Sequence, residues 1–329
     1  MKWPTLGMAL ACGLLVGAGQ VGAKNCGDDV AGQDVPCACG DTVVSDVALN
    51  GDPVLDAPCP ADGLLVRVND TRSGVTVDLR GSTIRGEGRG MGIWVLNGGK
   101  GGASIVSTGG VGTVEGFNDG IFGKGADSIA LVDNVAAARS GRDGIRVVAD
   151  GYEIRNSSAR DSGRDGIAAM GNDYKVSATR TENSGRAGYW IMGMRATIGT
   201  PEAGVVSVGS GYHGLFLMGW GINVTNCESS GAREDGVHLS GMHIEVHDCT
   251  LTDNGADGIG TGGGGAWSLS GNKAINNEGN GILVGGPYDP VKGAYNSDAG
   301  GNSGMGNRGT KLPRGAVQCE ISGRPCEWW

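Results

Sequence analysis

The sequence predicts an all-β, single-domain right-handed parallel β-helix, a solenoid built from coils of about 22 residues. Glycine is unusually abundant, at 66 of 329 residues. A short Asp-Gly-aliphatic motif recurs at nearly constant spacing, and the segments between its copies are short and alternate between apolar and polar residues. Such segments favour strands with one buried face, and a fixed period is expected where each coil stacks on the one before it.

The composition excludes several other classes. Collagen is excluded because the glycines do not fall at every third residue and prolines number only 10. A long helical bundle is excluded because glycine costs a helix interior about 1 kcal/mol relative to alanine. The recurrent valines, isoleucines and leucines argue against disorder. A net charge of −9 argues against a nucleic-acid partner, since phosphate binding requires a basic surface.

Residues 1–23 are predicted to be a secretory signal peptide. Met1-Lys2 is followed by an apolar stretch and by small residues that end at Ala23, which is the pattern of a cleaved signal. The alternative is a lipoprotein signal cut before Cys12. The apolar stretch is too short to span a membrane, so no transmembrane segment is expected. The predicted location is secreted or periplasmic.

Removal of the signal leaves eight cysteines, an even number that suits disulfides in an oxidising compartment. Cys227 and Cys249 fall at the same place in adjacent repeats, either as a disulfide or as two stacked thiols. We expect a disulfide-bonded N-terminal cap over residues 24–41, a β-helix over 42–286, an irregular C-terminal cap over 287–329, and a monomer. The remaining cysteines are expected to close the two ends: Cys26, Cys37, Cys39 and Cys59 at the start, and Cys319 with Cys326 at the end.

The repeat itself predicts which side chains face inward. Residues one and three positions after each motif glycine are apolar, and the residue between them is expected to face outward. The outward residues form a column along the helix: Phe122, Arg146, Ala168, Trp190, Phe216, His238, Gly260 and Leu283. We expect the motif glycines to supply turns with positive φ, the asparagines of the coils to stack as ladders, and most motif aspartates to be structural.

The Asp-Gly-Ile coils resemble the repeats of pectate-lyase-like parallel β-helix proteins. The segments beginning Cys39-Gly40-Asp41, Cys59-Pro60-Ala61 and Val75-Thr76-Val77, and the closing Gly300-Gly301-Asn302, are similar to those of secreted bacterial right-handed β-helix proteins. Related families include polysaccharide lyases, alginate epimerases, polygalacturonases and a periplasmic copper-maturation factor. The Asn-Thr-Asp motif of polygalacturonases and the Asp-Pro-His-Glu motif of alginate epimerases are absent. The resemblance therefore implies the fold and transfers no activity residue by residue.

Function is expected where coils depart from their template. The departures concentrate between Arg186 and His247, a stretch that contains all four histidines. Base and acid chemistry on a sugar would need groups of these types. We predict as catalytic His213, His238 or Arg186 as the base, and Tyr212 or Tyr189 as the acid.

Substrate binding is predicted on the outward face of the same strands. Trp190, Phe216 and His238 are expected to stack on successive coils, and the aromatic rings would offer flat platforms to sugar rings. Arg146 and Arg164 would bind uronate carboxylates. Asp235 is also assigned to substrate binding. One alternative is that the arginines only form a charge ladder with the neighbouring aspartates. Another is that the C-terminal segment covers the aromatic stripe.

These residues lead to a prediction of function. We expect the protein to act on or bind an extracellular acidic polysaccharide, by lyase-type elimination rather than hydrolysis, as a lyase or epimerase if it is an enzyme. The alternatives are a non-catalytic carbohydrate-binding β-helix of the envelope or surface, and a periplasmic metal-maturation factor. No metal site is predicted. Calcium is the cation left open, copper and zinc are not expected, and a site at His243, Glu245 and His247 would need a neighbouring donor such as Asn223.

Overall fold

The computed structural model describes residues 23–69, 71–284, 297–309, 319–321 and 324–325. It is a parallel β-helix in which three sheets run side by side along the molecule and each coil contributes one strand to each sheet. The predicted all-β right-handed solenoid is therefore confirmed. The predicted signal peptide up to residue 22, the predicted Cys319–Cys326 bond and much of the predicted C-terminal cap lie outside the described residues.

The strands are grouped here by sheet, within the described part of the chain. The first sheet contains Gln33–Val35, Asn25–Val30, Asp41–Val43, Leu64–Arg67, Met91–Asn97, Asp119–Lys124, Ile145–Val148, Ile167–Asn172, Tyr189–Met194, Leu215–Trp220, Val237–Met242, Ile259–Gly265, Ile282–Val284, Cys319–Ile321 and Arg324–Pro325. The second sheet contains Val47–Ala48, Thr76–Asp78, Ala103–Val106, Ile129–Asp133, Glu153–Arg155, Lys175–Ser177, Thr197–Ile198, Asn223–Thr225, Glu245–His247, Ser268–Ser270 and Ser297–Asp298. The third sheet contains Thr83–Arg85, Gly112–Glu115, Val135–Ala138, Ser158–Arg160, Thr179–Glu182, Val205–Val208, Cys227–Ser230, Thr250–Thr252, Lys273–Ile275 and Ser303–Met305. A short 3₁₀ helix, Pro53–Leu55, lies near the N-terminal end.

The register of the first sheet places equivalent residues of successive coils side by side. Ile145 pairs with Ile167, which pairs with Tyr189, and all three side chains are buried. Burying an aliphatic side chain of this size contributes about 2 kcal/mol. The outward residues also pair in the predicted order, from Phe122 through to Gly260. The alternation of inward and outward positions is therefore confirmed.

The role predicted for the motif glycines is wrong. Gly144 has no positive φ; instead, a Cβ added to it would lie 2.6 Å from the carbonyl oxygen of Gly166 in the next coil. Close stacking of the coils, rather than turn conformation, thus requires glycine there. Left-handed backbone is supplied by other glycines, such as Gly151 and Gly221, and by polar turn residues with φ between 48° and 59°: Asn134, Asn156, Asn226 and Asp248.

Three disulfides are present in the described part of the chain. Cys26 bonds to Cys37 within the predicted N-terminal cap, and Cys39 bonds to Cys59, which ties that cap to the next coil. Cys227 and Cys249 form a buried disulfide between adjacent coils of the third sheet, with their Cα atoms 4.4 Å apart. The alternative left open by the sequence is thus settled in favour of the bond. Over the same described residues, no helix has the length and apolar character needed to cross a membrane.

Candidate functional site

The motif aspartates form a column at the start of the first sheet, which we call the turn-aspartate column. Along this column a side-chain acceptor of one coil binds the backbone N–H of the next, except at Ala187, which has no side-chain acceptor to offer. The Asp143 carboxylate accepts the N–H of Asp165 at 3.2 Å, and Asp235 accepts that of Asp257 at 3.0 Å. Most of these residues therefore hold one coil to the next. The column runs Asp119, Asp143, Asp165, Ala187, His213, Asp235, Asp257 and Asn280.

One position earlier in each coil lies a second column, the arginine column. Backbone hydrogen bonds place its members in line: Arg142, Arg164, Arg186, Tyr212, Glu234, Ala256 and Gly279. Each arginine reaches back to the aspartate of the preceding coil. Arg164 and Arg186 each place two nitrogens on a fully buried carboxylate, with Nε at 2.8 Å, and Arg142 lies 3.5 Å from its partner; the pairs are Arg142–Asp119, Arg164–Asp143 and Arg186–Asp165. These contacts match the charge-ladder alternative, so Arg164 and Arg186 already have a carboxylate without any uronate.

Arg146 differs from the arginines of that column. It lies among the outward residues, with its guanidinium carbon 5.4 Å from the centre of the Phe122 ring. One terminal nitrogen lies 3.7 Å from Asp143, while its buried Nε has no hydrogen-bond partner within the described residues. Arg146 therefore has one long ion pair, and its side chain remains 24% exposed.

The predicted aromatic platforms are stacked on one another. The Trp190 and Phe216 ring centres lie 4.2 Å apart with planes 12° from parallel, and Phe216 stacks on His238 with 5.4 Å between centres and planes 5° apart. The other face of Trp190 is covered by Arg186 at 4.0 Å. Adjacent coils are about 4.8 Å apart, which is within the usual range of distances between the centres of stacked rings, so rings in one column stack on one another. The expectation that Trp190 and Phe216 offer ring faces to sugars is therefore wrong, because they offer edges.

Three predicted site residues come together at the end of this stack. His238 Nδ1 lies 2.7 Å from Asp235 Oδ2, and the His213 ring lies 4.3 Å from the His238 ring. His213 Nδ1 accepts the backbone N–H of Asp235 at 3.2 Å, so the imidazole performs the role of the aspartate that it replaces. Burial, assisted by the nearby His238, lowers the pKa of His213 to about 4. His213 is thus a neutral structural acceptor at neutral pH, whereas the half-buried His238 reaches the surface.

The two tyrosines predicted as acids occupy different environments. Tyr212 is 43% exposed, with its ring 4.0 Å from that of His213. Tyr189 lies inside the coil, where its hydroxyl donates to the Val206 carbonyl at 3.2 Å and lies 3.1 Å from Thr179 Oγ1. Burial raises the pKa of Tyr189. Only Tyr212 can therefore reach a substrate outside the helix.

His213, Asp235 and His238 also place one ligand atom each within 4.8 Å of the others, which is a spacing that could hold a metal ion. Their planes make this arrangement a poor fit. The lone pairs of imidazole lie in the ring plane, and these two rings are stacked with only 25° between planes, so the lone pairs do not converge. The His243–His247 segment offers less, since His247 Nδ1 is held by Ser270 Oγ at 2.6 Å and His243 packs against Trp220.

The coil after His238 lacks two side chains that the earlier coils have, and this gap was not identified from the sequence. Ala256 stands in the arginine column and Gly260 in the outward column. A Cβ at Gly260 would lie 2.4 Å from Asp235 Oδ2, and one at Gly262 would lie 2.6 Å from His238 Nε2. The signal was present as a run of glycines after Gly260, but only the register shows which side chains they leave uncovered.

A second missed residue is Arg233, two positions before Asp235. It interrupts a column of glycines and is exposed. Within the described part of the chain it forms no ion pair. The other column members that precede it are Gly141, Gly163, Gly185 and Gly211. An arginine in a glycine column is the sequence signal that could have identified it.

Comparisons with solved structures return other β-helices at low sequence identity. The catalytic unit of a GH87 α-1,3-glucanase from Streptomyces thermodiastaticus strain HF3-3 is similar over 93% of this chain and 57% of its own, at 12% identity and a TM-score of 0.49. The A-module of the Azotobacter vinelandii mannuronan C-5 epimerase AlgE4 is similar over 72% of this chain and 67% of its own, at 18% identity and a TM-score of 0.41. The pectate lyase Pel9A is similar over 75% of this chain and 60% of its own, at 14% identity and a TM-score of 0.37. The chain thus spans less than two thirds of the glucanase unit and of the pectate lyase.

The sequence comparisons are narrower. No curated protein matches the chain. A family model described as a right handed beta helix region matches residues 119–291, which is more than half of the chain and includes every member of the stack from Arg186 to His238. The chain therefore belongs to the right-handed β-helix family.

Proposed function

We propose that the protein binds a polysaccharide along the outward face of the first sheet and that His238 is the base of a lyase-type elimination on the bound chain. One observation carries this proposal: His238 is half-buried at the end of the stack, with Nδ1 held by Asp235 Oδ2 at 2.7 Å. A carboxylate that accepts the Nδ1 proton leaves Nε2 as the proton acceptor. The exposed Gly262 beside Nε2 adds no side chain that would shield it.

The surroundings of His238 support sugar binding. Tyr212, Trp220 and Met194 are large side chains more than 40% exposed beside the stack, and Met192 and Met218 lie between them on the same face. Apolar side chains of this kind cover the carbon-rich faces of sugars, while a few polar groups set orientation. Arg146 and Arg233 lie outside the arginine column and do not hold the aspartate of the preceding coil, so they are the arginines we assign to uronate carboxylates.

The proposed reaction is a β-elimination. His238 Nε2 takes the C5 proton of a uronate, and the electron pair of that C–H bond forms the C4–C5 double bond. The bond from C4 to the glycosidic oxygen breaks, and the oxygen takes a proton from Tyr212. Arg233 lies in the same coil as His238 and would neutralise the uronate carboxylate, which makes the C5 proton more acidic.

The test is the unsaturated product, which absorbs in the ultraviolet. Mature protein is incubated with pectate, alginate and glycosaminoglycan polymers, and absorbance is followed with time. We expect His238→Gln to lose activity by a factor of 100 or more, consistent with removal of a general base. The matched control is His247→Gln, a histidine on the second sheet, which should retain activity. Equal rates for the two variants, or no product from any polymer, would contradict elimination at His238.

A second function, carbohydrate binding without catalysis, is favoured by the engagement of Arg186 with Asp165 and by the burial of Tyr189. The sequence predicts Arg186 as a candidate base and Tyr189 as a candidate acid, and both roles require a side chain that a substrate can reach. Under this alternative, native gels containing the polymers would show retarded migration of the protein and no unsaturated product. Retardation that is lost in Arg146→Gln would place the polymer on the same face.

A further inference from the structure

The pairing between the turn-aspartate column and the arginine column ends after Asp165. Asp119, Asp143 and Asp165 each have an arginine in the next coil. Where the aspartate is replaced by Ala187, the next coil has Tyr212, so the loss of the carboxylate is matched by the loss of the arginine. Asp235 keeps the carboxylate, but the next member of the arginine column is Ala256.

Asp235 is consequently left without a counter-charge from arginine or lysine within the described residues. Its Oδ1 accepts the N–H of Asp257 and its Oδ2 lies against His238 Nδ1. The side chain is 11% exposed, whereas those of Asp143 and Asp165, covered by their arginines, are fully buried. No guanidinium therefore covers Asp235, and its carboxylate keeps a small exposed area that Asp143 and Asp165 lack.

The same coil also lacks an outward side chain, because Gly260 follows His238 in the outward column. The next outward residue is the half-buried Leu283. His238 and Leu283 are thus two coil spacings apart, about 9.6 Å, and the coil between them places no outward side chain there. We call this space, above Ala256 and Gly260 and between His238 and Leu283, the open rung.

We propose that the open rung binds a 2-amino sugar residue with a free amine. Its ammonium group would donate to Asp235 as an arginine does in the earlier coils, and its ring would lie on the uncovered face of His238, continuing the stack. This assignment rests on the proposed binding of a polysaccharide to this sheet, and it specifies the substrate class as a chain that contains unacetylated amino sugars. A uronate is disfavoured in the open rung because its carboxylate would face that of Asp235. A metal ion is disfavoured by the stacked imidazoles.

The experiment uses isothermal titration calorimetry at pH 6.5 with glucosamine hexamers and with the fully N-acetylated hexamer. We expect the amino form to bind at least tenfold more tightly. Ala256→Arg restores the missing member of the arginine column and should weaken binding of the amino form at least tenfold, without lowering Tm. Ala57→Arg adds the same charge at an exposed position near the N-terminal cap and should leave the affinity unchanged. Asp235→Asn removes the charge at constant size and should weaken binding comparably.

The outcomes separate this proposal from the proposed function. Equal affinity for both hexamers, or full affinity in Ala256→Arg, overturns the amino-sugar assignment while polysaccharide binding stands. Failure of every hexamer and uronate polymer to bind overturns both. Tight, Ala256→Arg-sensitive binding of the amino hexamer without unsaturated product from any polymer supports the open rung and counts against elimination. Binding of zinc or free arginine without binding of glucosamine overturns the assignment in favour of another cation.

Discussion

Two regions of one solenoid treat the same carboxylate differently. In the coils that carry Arg142, Arg164 and Arg186, each turn aspartate is covered by an arginine from the next coil, and its charge is satisfied inside the protein. In the coils from Glu234 to Gly279, the aspartates remain and the arginines do not. The backbone ladder is the same in both regions, so the aspartate alone suffices to hold the coils together. The difference shows that coils also stack where the arginine is missing, and that its absence leaves Asp235 without a guanidinium partner.

The largest effect is expected when the ladder is broken in the arginine-bearing region. Arg164→Met leaves the fully buried Asp143 carboxylate without its main partner. Breaking a buried pair from one side costs about 3–5 kcal/mol, and the partial exposure of Arg164 places our expectation near the lower end. Urea unfolding monitored by circular dichroism measures the change. The control is Arg195→Met, whose partner Asp173 is exposed and whose loss should cost less than about 1 kcal/mol. Similar losses of unfolding free energy for both variants would mean that the Arg164–Asp143 pair stabilises the fold no more than an exposed ion pair does.

The next effect concerns acid sensitivity at His213. The pKa of this histidine falls from 6.5 in an unfolded chain to about 4 in the fold. Between these values the unfolded state binds more protons, so the contribution of neutral His213 is complete above pH 6.5 and is lost as pH falls towards 4. The span corresponds to about 3 kcal/mol. His213→Asn preserves an acceptor for the Asp235 N–H and should flatten this part of the curve of unfolding free energy against pH. An unchanged slope would remove His213 as the source.

A smaller loss is expected at the motif glycines. A Cβ at Gly144 would lie 2.6 Å from both the Gly166 oxygen and the Ala159 Cβ. Gly144→Ala should therefore force the adjacent coils apart and cost about 1–3 kcal/mol, measured as a lowered Tm. Gly151 is the comparison, because it has open space around it and φ of 69°, so alanine there strains only the local turn. A larger loss at Gly151 than at Gly144 would refute close stacking as the reason for the motif glycine.

The smallest effect is a gain. Ala256→Arg rebuilds in the arginine-free region the pair that Asp143 and Asp165 already have. Because the arginine would be partly exposed, the stabilisation should be about 0.5–1 kcal/mol, seen as a slightly raised urea midpoint. A loss of stability would mean that the open rung cannot accept a guanidinium, and the comparison between the two regions would no longer hold.

Much of the site was visible in the sequence as positions, and little of it as contacts. His213 and His238 were singled out among the departures from the template and Asp235 as a substrate-binding residue, and the structure brings all three together. Trp190, Phe216 and His238 were predicted to stack on successive coils, and they do, but the covering of their ring faces by that stacking was not foreseen. Tyr189 and Tyr212 appeared equivalent, yet one is buried and the other exposed. Ala256, Gly260 and Arg233 were overlooked because an alanine, a glycine and a surface arginine carry no catalytic signature of their own.

The sequence by itself determined the coil period, the inward and outward faces of the strands and the order of residues in each column. These properties follow from a repeat of about 22 residues and from the alternation of side chains along a strand, both of which are local. Only the tertiary structure decided the polar and charged partners: Arg186 with Asp165, and His238 with Asp235. Stacking brings residues about 22 positions apart to a distance of roughly 4.8 Å. At that distance the side-chain rotamers and the competing charges determine which groups touch, and neither can be read from the repeat period.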